Sequence, residues 1–267
     1  DAKLQEAQIK SLKDPVILAS FNQSDDPDNN SVEHWSELLN DALNAKAFNL
    51  AQFPVLSVDG KLVHNETAAR LTIDGSIIQA GEFIPWLQRL KRTTDFDKAL
   101  IEQAINTLES SDSALAINLT PASLDDSLFK QWLANTLKAS PKAASRLSIE
   151  IPEQGAHQRI AAFRELIHTL KPMGVRVGIK HAGQDIERIS ALHDLGLDYV
   201  KIDASLIHNI DKDTQNQTLL RAICLVVHSI GLTAIAAMVQ TPEEWHILNE
   251  LGLDAGAGPE AKNHLSD

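Results

Sequence analysis

Arg146-Leu147-Ser148-Ile149-Glu150-Ile151, a helical pattern from His157 to Lys171, Val175-Arg176-Val177-Gly178-Ile179, a second helical pattern from Asp185 to Leu195, and Tyr199-Val200-Lys201-Ile202 follow one another in the chain. The three short runs are apolar and β-branched, which is how strands covered on both faces read. The longer segments between them carry apolar residues at helical spacing and approach Gly174 and Gly196, as helices do at their ends. Strand, helix, strand, helix, strand is the repeat of a parallel sheet with helical crossovers.

The same alternation extends outward in both directions. Strand-like runs occur at Phe48–Val58, Lys61–Leu71, Ala114–Leu119, Thr233–Ala236 and, more weakly, Ala255–Gly258. Helical patterns occur at Phe83–Leu90, Asp95–Glu109, Asp126–Leu137, Thr214–Ile230 and Pro242–Leu251, and Ser31 caps a further helix carrying Trp35, Leu38, Leu39 and Leu43. Eight strands, mostly parallel with helices outside, predict an α/β fold, a TIM-like (β/α)8 barrel whose functional residues stand at the C-terminal ends of the strands. An open doubly wound sheet gives similar alternation, but no glycine-rich phosphate turn follows the first strand.

Composition narrows the function. With 267 residues and 43% hydrophobic content, the chain is long enough for a sizeable core. Lys plus Arg number 24 against 36 Asp plus Glu, a net charge of −12 without a basic run, which argues against a nucleic-acid partner. Local cations still permit a small anionic ligand. The single Cys224 sits in an apolar stretch and reads as a small buried hydrophobe. No apolar run approaches the roughly 18 residues of a membrane span, and no signal peptide opens the chain, so no membrane contact is expected of this domain. Residues 1–20 read as helix and strand without a partner, the tail of a preceding domain. The polar stretch 21–32 reads as a linker, leaving 33–267 as the barrel.

The strand ends carry Glu66 with Arg70, Asn118, Glu150 with Glu153, Lys201 with Asp203, and Ala236-Ala237-Met238-Val239-Gln240-Thr241. From about Trp35 to Pro259 this order resembles the EAL domains of bacterial cyclic di-GMP phosphodiesterases. Glu66-Thr67-Ala68-Ala69-Arg70 is similar to the family's signature, with the glutamate and arginine kept. Ala116-Ile117-Asn118-Leu119-Thr120, Glu150-Ile151-Pro152-Glu153 and Lys201-Ile202-Asp203 resemble its asparagine, glutamate and lysine strands. Phe83-Ile84-Pro85-Trp86, Asp97 and Gly252-Leu253-Asp254 fit further landmarks.

The departures concentrate elsewhere. Lys180 and His181 stand where the resemblance implies paired aspartates, Ala237 and Gln240 where it implies glutamates, and Ala257 and Phe53 where it implies glutamines. Two-metal hydrolysis needs carboxylates to hold the ions, so the resemblance implies an inactive domain with no catalytic residue, no metal and no cofactor. It is similar to the inactive EAL domains of receptors of the LapD type and regulators of the CsrD type. The expected role is a regulatory or protein-interaction module in cyclic di-GMP signalling, with weak or no nucleotide binding. The alternatives are a receptor that binds without hydrolysing, and a residual phosphodiesterase. Arg70 is the candidate phosphate contact. Lys180 is expected in the vacated ion site, neutralising Glu66 and Glu150. His181 is expected as a polar residue of the barrel mouth, and Trp245 as a core residue behind a helix capped by Thr241. Expected partners are cyclic di-GMP, a protein or a second copy. The resemblance also implies that residues 1–20 close a GGDEF-like domain in the cytosolic part of an inner-membrane protein.

Overall fold

The structure, a computed structural model, describes residues 31–73, 76–183 and 192–265. The tail expected over 1–20 and the linker up to residue 30 lie outside them. So does most of the helix expected over Asp185–Leu195, of which His193–Leu195 is a 3-10 turn.

The strands are β1 (Phe48–Ser57), β2 (Leu62–Ile73), β3 (Ser76–Gln79), β4 (Leu115–Asn118), β5 (Leu147–Pro152), β6 (Arg176–Ala182), β7 (Tyr199–Ile202), β8 (Thr233–Ala236) and β9 (Ala255–Ala257). They form one sheet in the order β1-β9-β8-β7-β6-β5-β4-β2-β3, and β1 also pairs with β2. Eight strands therefore close into a barrel, with β3 added outside on β2. From β2 through β4 to β9 the barrel neighbours run parallel. β1 alone runs antiparallel to both neighbours. The reason is local: a tight turn through Gly60, at φ +84°, joins β1 to β2, and so short a connection permits only antiparallel pairing.

β4 to β9 are covered on both faces, so their residues are almost all buried. The helices Thr93–Ser110, Ser127–Ala139, Ile160–Leu170 and Thr214–Ser229 pack their apolar faces outside this sheet. A second apolar cluster lies beside the hairpin. There Leu39 of the helix Val32–Asn44 and Phe83 and Leu87 of the helix Ala80–Arg89 pack with Phe48, Leu71 and Phe96. Ser31 caps the first of these helices by accepting from His34 N–H at 3.0 Å, as its position predicts.

Elements differ from the sequence reading in bounds and in number. The pattern from His157 to Lys171 divides into helices Glu153–Gln158 and Ile160–Leu170, because Arg159 leaves helical geometry at φ −129°, ψ 37°. β3 was not foreseen: four residues are too few to show a period.

Candidate functional site

Alternation along each strand sends Glu66 of β2, Glu150 of β5, Arg176, Gly178 and Lys180 of β6, and Tyr199 and Lys201 of β7 into the barrel. Ladder register brings Asn118, Glu150, Gly178 and Tyr199 level, since Asn118 pairs with Glu150, Glu150 with Gly178, and Gly178 with Tyr199. Lys201 Nζ lies 2.7 Å from Glu150 Oε1 and 3.2 Å from Glu66 Oε2, with Lys201 3% exposed and the Glu150 side chain fully buried. Tyr199 donates its hydroxyl to Glu150 Oε1 at 3.0 Å.

The titration of these groups follows from their surroundings. Burial pushes the Glu150 carboxyl up, but the Lys201 and Lys180 cations and hydrogen bonds from Lys201 and Tyr199 outweigh it and hold it below its ordinary value. Burial pulls Lys201 down, and the two glutamates more than offset this, so it stays charged. Below the cluster, Arg176 lies 5.3 Å from the Tyr199 ring centre, and buried His64 packs beside the same ring. Burial, with Lys201 and Arg176 nearby, lowers His64 to about 3 and keeps it neutral.

The ammonium that joins Glu66 and Glu150 is thus Lys201, not Lys180 as expected. Among the described residues, Lys180 makes no ion pair within 4.0 Å. It stands half-buried at the end of β6, near enough to Glu66 and Glu150 to feel both.

The resemblance implies divalent ions at this site. Asn118 donates to Thr67 O at 3.4 Å, leaving its Oδ1 and Glu150 Oε2 buried without a hydrogen-bond partner, two acceptors of the kind a cation uses. A hard divalent cation asks for six or more oxygens. Here both glutamates already face Lys201, and Lys180 adds a second positive charge, so two carboxylates meet two ammonium groups. Among the described residues, no group of three or more His, Cys, Asp or Glu is placed to hold a metal. The donor set does not fit such an ion.

The remaining positions lie around the mouth. His181, at φ +57° on an irregularity of the β6–β7 ladder, lies with Nδ1 3.1 Å from Asp203 Oδ2 and is 41% exposed, a polar mouth residue as expected. The Asp203 side chain also accepts from Ser205 N–H at 2.9 Å and Ser205 Oγ at 2.6 Å, capping the turn Ala204–Ile207. The hydrogen bond from His181, with those from Ser205, holds the Asp203 carboxyl far below the usual range. Ala237, with no side-chain donor, follows β8, and its N–H donates to Ile202 O. Gln240 donates its backbone N–H to Glu244 Oε2 at 2.7 Å, and Glu244 Oε1 receives Asn209 N–H at 2.8 Å. Trp245 is buried and stacks on His264 at 4.5 Å. Arg70 and Lys262 lie 5.9 and 5.6 Å from the Phe53 ring centre, and Arg70 Nε is buried without a hydrogen-bond partner.

Sequence reasoning missed Tyr199 and Glu244. The one tyrosine of the chain, two residues before Lys201 on a strand, was a legible sign of a shared face. Glu244 stands three residues after Thr241, the capping-box spacing, but nothing in that spacing announces that its side chain ties two loops.

Among the described residues, no helix is long and apolar enough to cross a membrane. The EAL domain family model matches residues 36–261. The RNase E specificity factor CsrD of Escherichia coli K12 is 26% identical over 226 residues, 84% of this chain and 35% of that protein. The probable cyclic di-GMP phosphodiesterase PdeA of the same strain is 23% identical over 205 residues, 75% of this chain and 28% of its own. The chain thus spans about a third of the length of these curated relatives. The solved S helix-GGDEF-EAL portion of Vibrio cholerae LapD superposes with a TM-score of 0.80 in its apo form. It is 25% identical and covers 87% of this chain and 57% of that one. The form bound to c-di-GMP superposes at 0.79.

Proposed function

This chain belongs to the EAL domain family, and from that premise we propose that it serves cyclic di-GMP signalling without hydrolysing the dinucleotide, as a regulatory or protein-interaction module. The observation that carries this reading is the Glu66–Lys201–Glu150 cluster, with Lys180 beside it. Phosphodiester hydrolysis by metal ions needs anionic oxygens to hold them and a bound water of lowered pKa. Here the anionic oxygens are neutralised from within the chain, and the four positions where the resemblance implies further acidic residues hold Lys180, His181, Ala237 and Gln240.

A second reading, a receptor that binds the dinucleotide intact, is favoured by one feature. Arg70 keeps a buried Nε without a hydrogen-bond partner, and a guanidinium is suited to hold a phosphate by charge-assisted hydrogen bonds. Phe53 beside it offers a ring where the resemblance implies an amide. We further propose that residues 1–20 end a preceding GGDEF-like domain, because the LapD portion to which this chain is similar carries a GGDEF unit together with its EAL unit.

The test is calorimetric titration with cyclic di-GMP, combined with a hydrolysis assay in magnesium or manganese. No turnover is expected in either metal. Turnover abolished by Glu66→Ala would overturn the non-hydrolytic reading. Micromolar binding lost in Arg70→Ala selects the receptor, and absence of heat selects the protein-interaction module.

A further inference from the structure

The loops that follow β4 and β5, together with the end of the helix Ala80–Arg89 and the start of the helix Thr93–Ser110, enclose a cavity of about 410 Å³. Small-ligand sites have this size. Its walls are amides and hydroxyls, from Gln88, Thr93, Thr120, Gln154 and Gln158, and Arg159 adds one cation. Among the described residues, no acidic side chain lines it. The wall is held from behind, because the buried Asp97 accepts from Thr120 N–H at 2.9 Å and Thr120 Oγ1 at 2.7 Å. Gly155 seats the loop after β5 against Pro121, where a Cβ would come within 2.4 Å of the ring. Arg159 Nε binds Asp125 Oδ2 at 2.6 Å and Nη1 reaches Gln158 Oε1 at 3.5 Å, so Nη2 is without a partner among the described residues. The helix Thr93–Ser110 also starts at the cavity with no side-chain cap, and its first turn carries partial positive charge.

We propose that this cavity binds a small hydroxylated monocarboxylate, a hydroxy acid or open-chain sugar acid. The carboxylate takes Arg159, and the hydroxyls, which both donate and accept, take the glutamine amides and the threonine hydroxyls. A second negative charge would meet no second cation in the lining, and an ammonium group would meet no carboxylate. Both would lose hydration without a partner, which selects against phosphates and amino acids. The site is independent of the signalling role proposed above, since none of its residues belongs to the Glu66–Lys201–Glu150 cluster.

D-Gluconate serves as the probe, titrated by calorimetry into the whole chain at pH 6. There Asp97, raised by burial to about 7, keeps its proton and adds no anion behind the wall. Dissociation constants of about 1 mM or lower are expected, weakened at least about tenfold in Arg159→Met, the scale of one charge-assisted hydrogen bond. The uncharged analogue D-glucitol should bind more weakly by the same factor. Ala122→Trp, at the exposed rim, is expected to fill the cavity and abolish binding. In the unmutated chain, gluconate should shift the backbone amide resonances of Thr120 and Gly155, which locates the ligand if either variant does not fold. No binding at about 10 mM gluconate, glucitol bound as tightly as gluconate, or shifts confined to residues outside the cavity would overturn the proposal.

Discussion

Lys201 and Lys180 are both mouth lysines, and their surroundings set different consequences for losing each. Removing Lys201 leaves Glu66 and Glu150 facing one another with no ion pair, Glu150 fully buried. Breaking a buried pair costs about 3–5 kcal/mol because the surviving charge is uncompensated. Lys201→Met is therefore expected to lower the unfolding free energy measured in urea by that order, while Lys180→Met, which breaks no ion pair among the described residues, should cost less than about 1 kcal/mol. Equal losses would show that the charge balance is misassigned. Asp97 gives a pH dependence of opposite kind to Glu150. It is fully buried; its Oδ2 receives Thr120 N–H, Thr120 Oγ1 and Ser123 Oγ at 2.9, 2.7 and 2.6 Å, and its Oδ1 receives none. Burial raises it from 3.8 to about 7, against those hydrogen bonds. Between those values the folded chain keeps a proton that the unfolded chain has released, so the contribution to stability is present in acid and is lost as pH rises through about 7. Urea midpoints at pH 5 and pH 7.5 should differ less in Asp97→Asn than in the parent. Glu150 acts in the other sense: its value is lowered, so its contribution is present at neutral pH and lost on acidification. The sequence showed that Glu66, Glu150 and two lysines would share the barrel interior. It did not show which ammonium bridges, because that depends on how side chains of different strands meet inside the barrel, a relation that no single segment encodes.

The pairing of β6 with β7 rests on a fit between a glycine and a ring. A Cβ at Gly178 would overlap the Tyr199 side chain, whose hydroxyl reaches Glu150. Gly178→Ala is expected to cost about 1–3 kcal/mol, the range for overpacking a filled core. Tyr199→Leu removes the ring and also its hydrogen bond, so it destabilises by itself. Combined, the two changes should cost less than the sum of the singles, since the first clash disappears with the ring. Additive losses in a double-mutant cycle followed by urea unfolding would contradict the contact. At this scale the strands were the most legible part: Tyr199–Ile202 and Thr233–Ala236 have the ends that their apolar runs predict. Helix division was less legible. Arg159 breaks the helix by a backbone turn, and its guanidinium binds Asp125 at 2.6 Å, a tertiary contact with no local sign.

The direction of β1 decides how the whole barrel closes. The sequence supplied eight strands but not their senses, because apolar runs read alike in either direction. Closure needs β1 to meet β9, and that meeting is confined to Val55 with Ala257, Leu56 with Gly256 and Ser57 with Ala255. On its other side β1 pairs with β2 along nearly its whole length. The ladder slips between Val55 and Leu56, at the level of the closing pairs. β5 and β6, by contrast, pair continuously from Ser148 to Pro152. A short ladder beside an irregularity is the place for the sheet to part first, since few hydrogen bonds must break to open it. Packing partly offsets this, because Gly256 lies against Trp245, where a Cβ would come within 2.7 Å of the indole. Native-state hydrogen exchange should therefore find the β1–β9 amides opening at a lower free energy than those of β5 and β6. Trp245→Leu should widen the gap by loosening the β9 side alone. If the closing pairs and the β5–β6 pairs exchange together, by global unfolding only, the barrel has no preferred seam and β1 is held as firmly as its parallel neighbours.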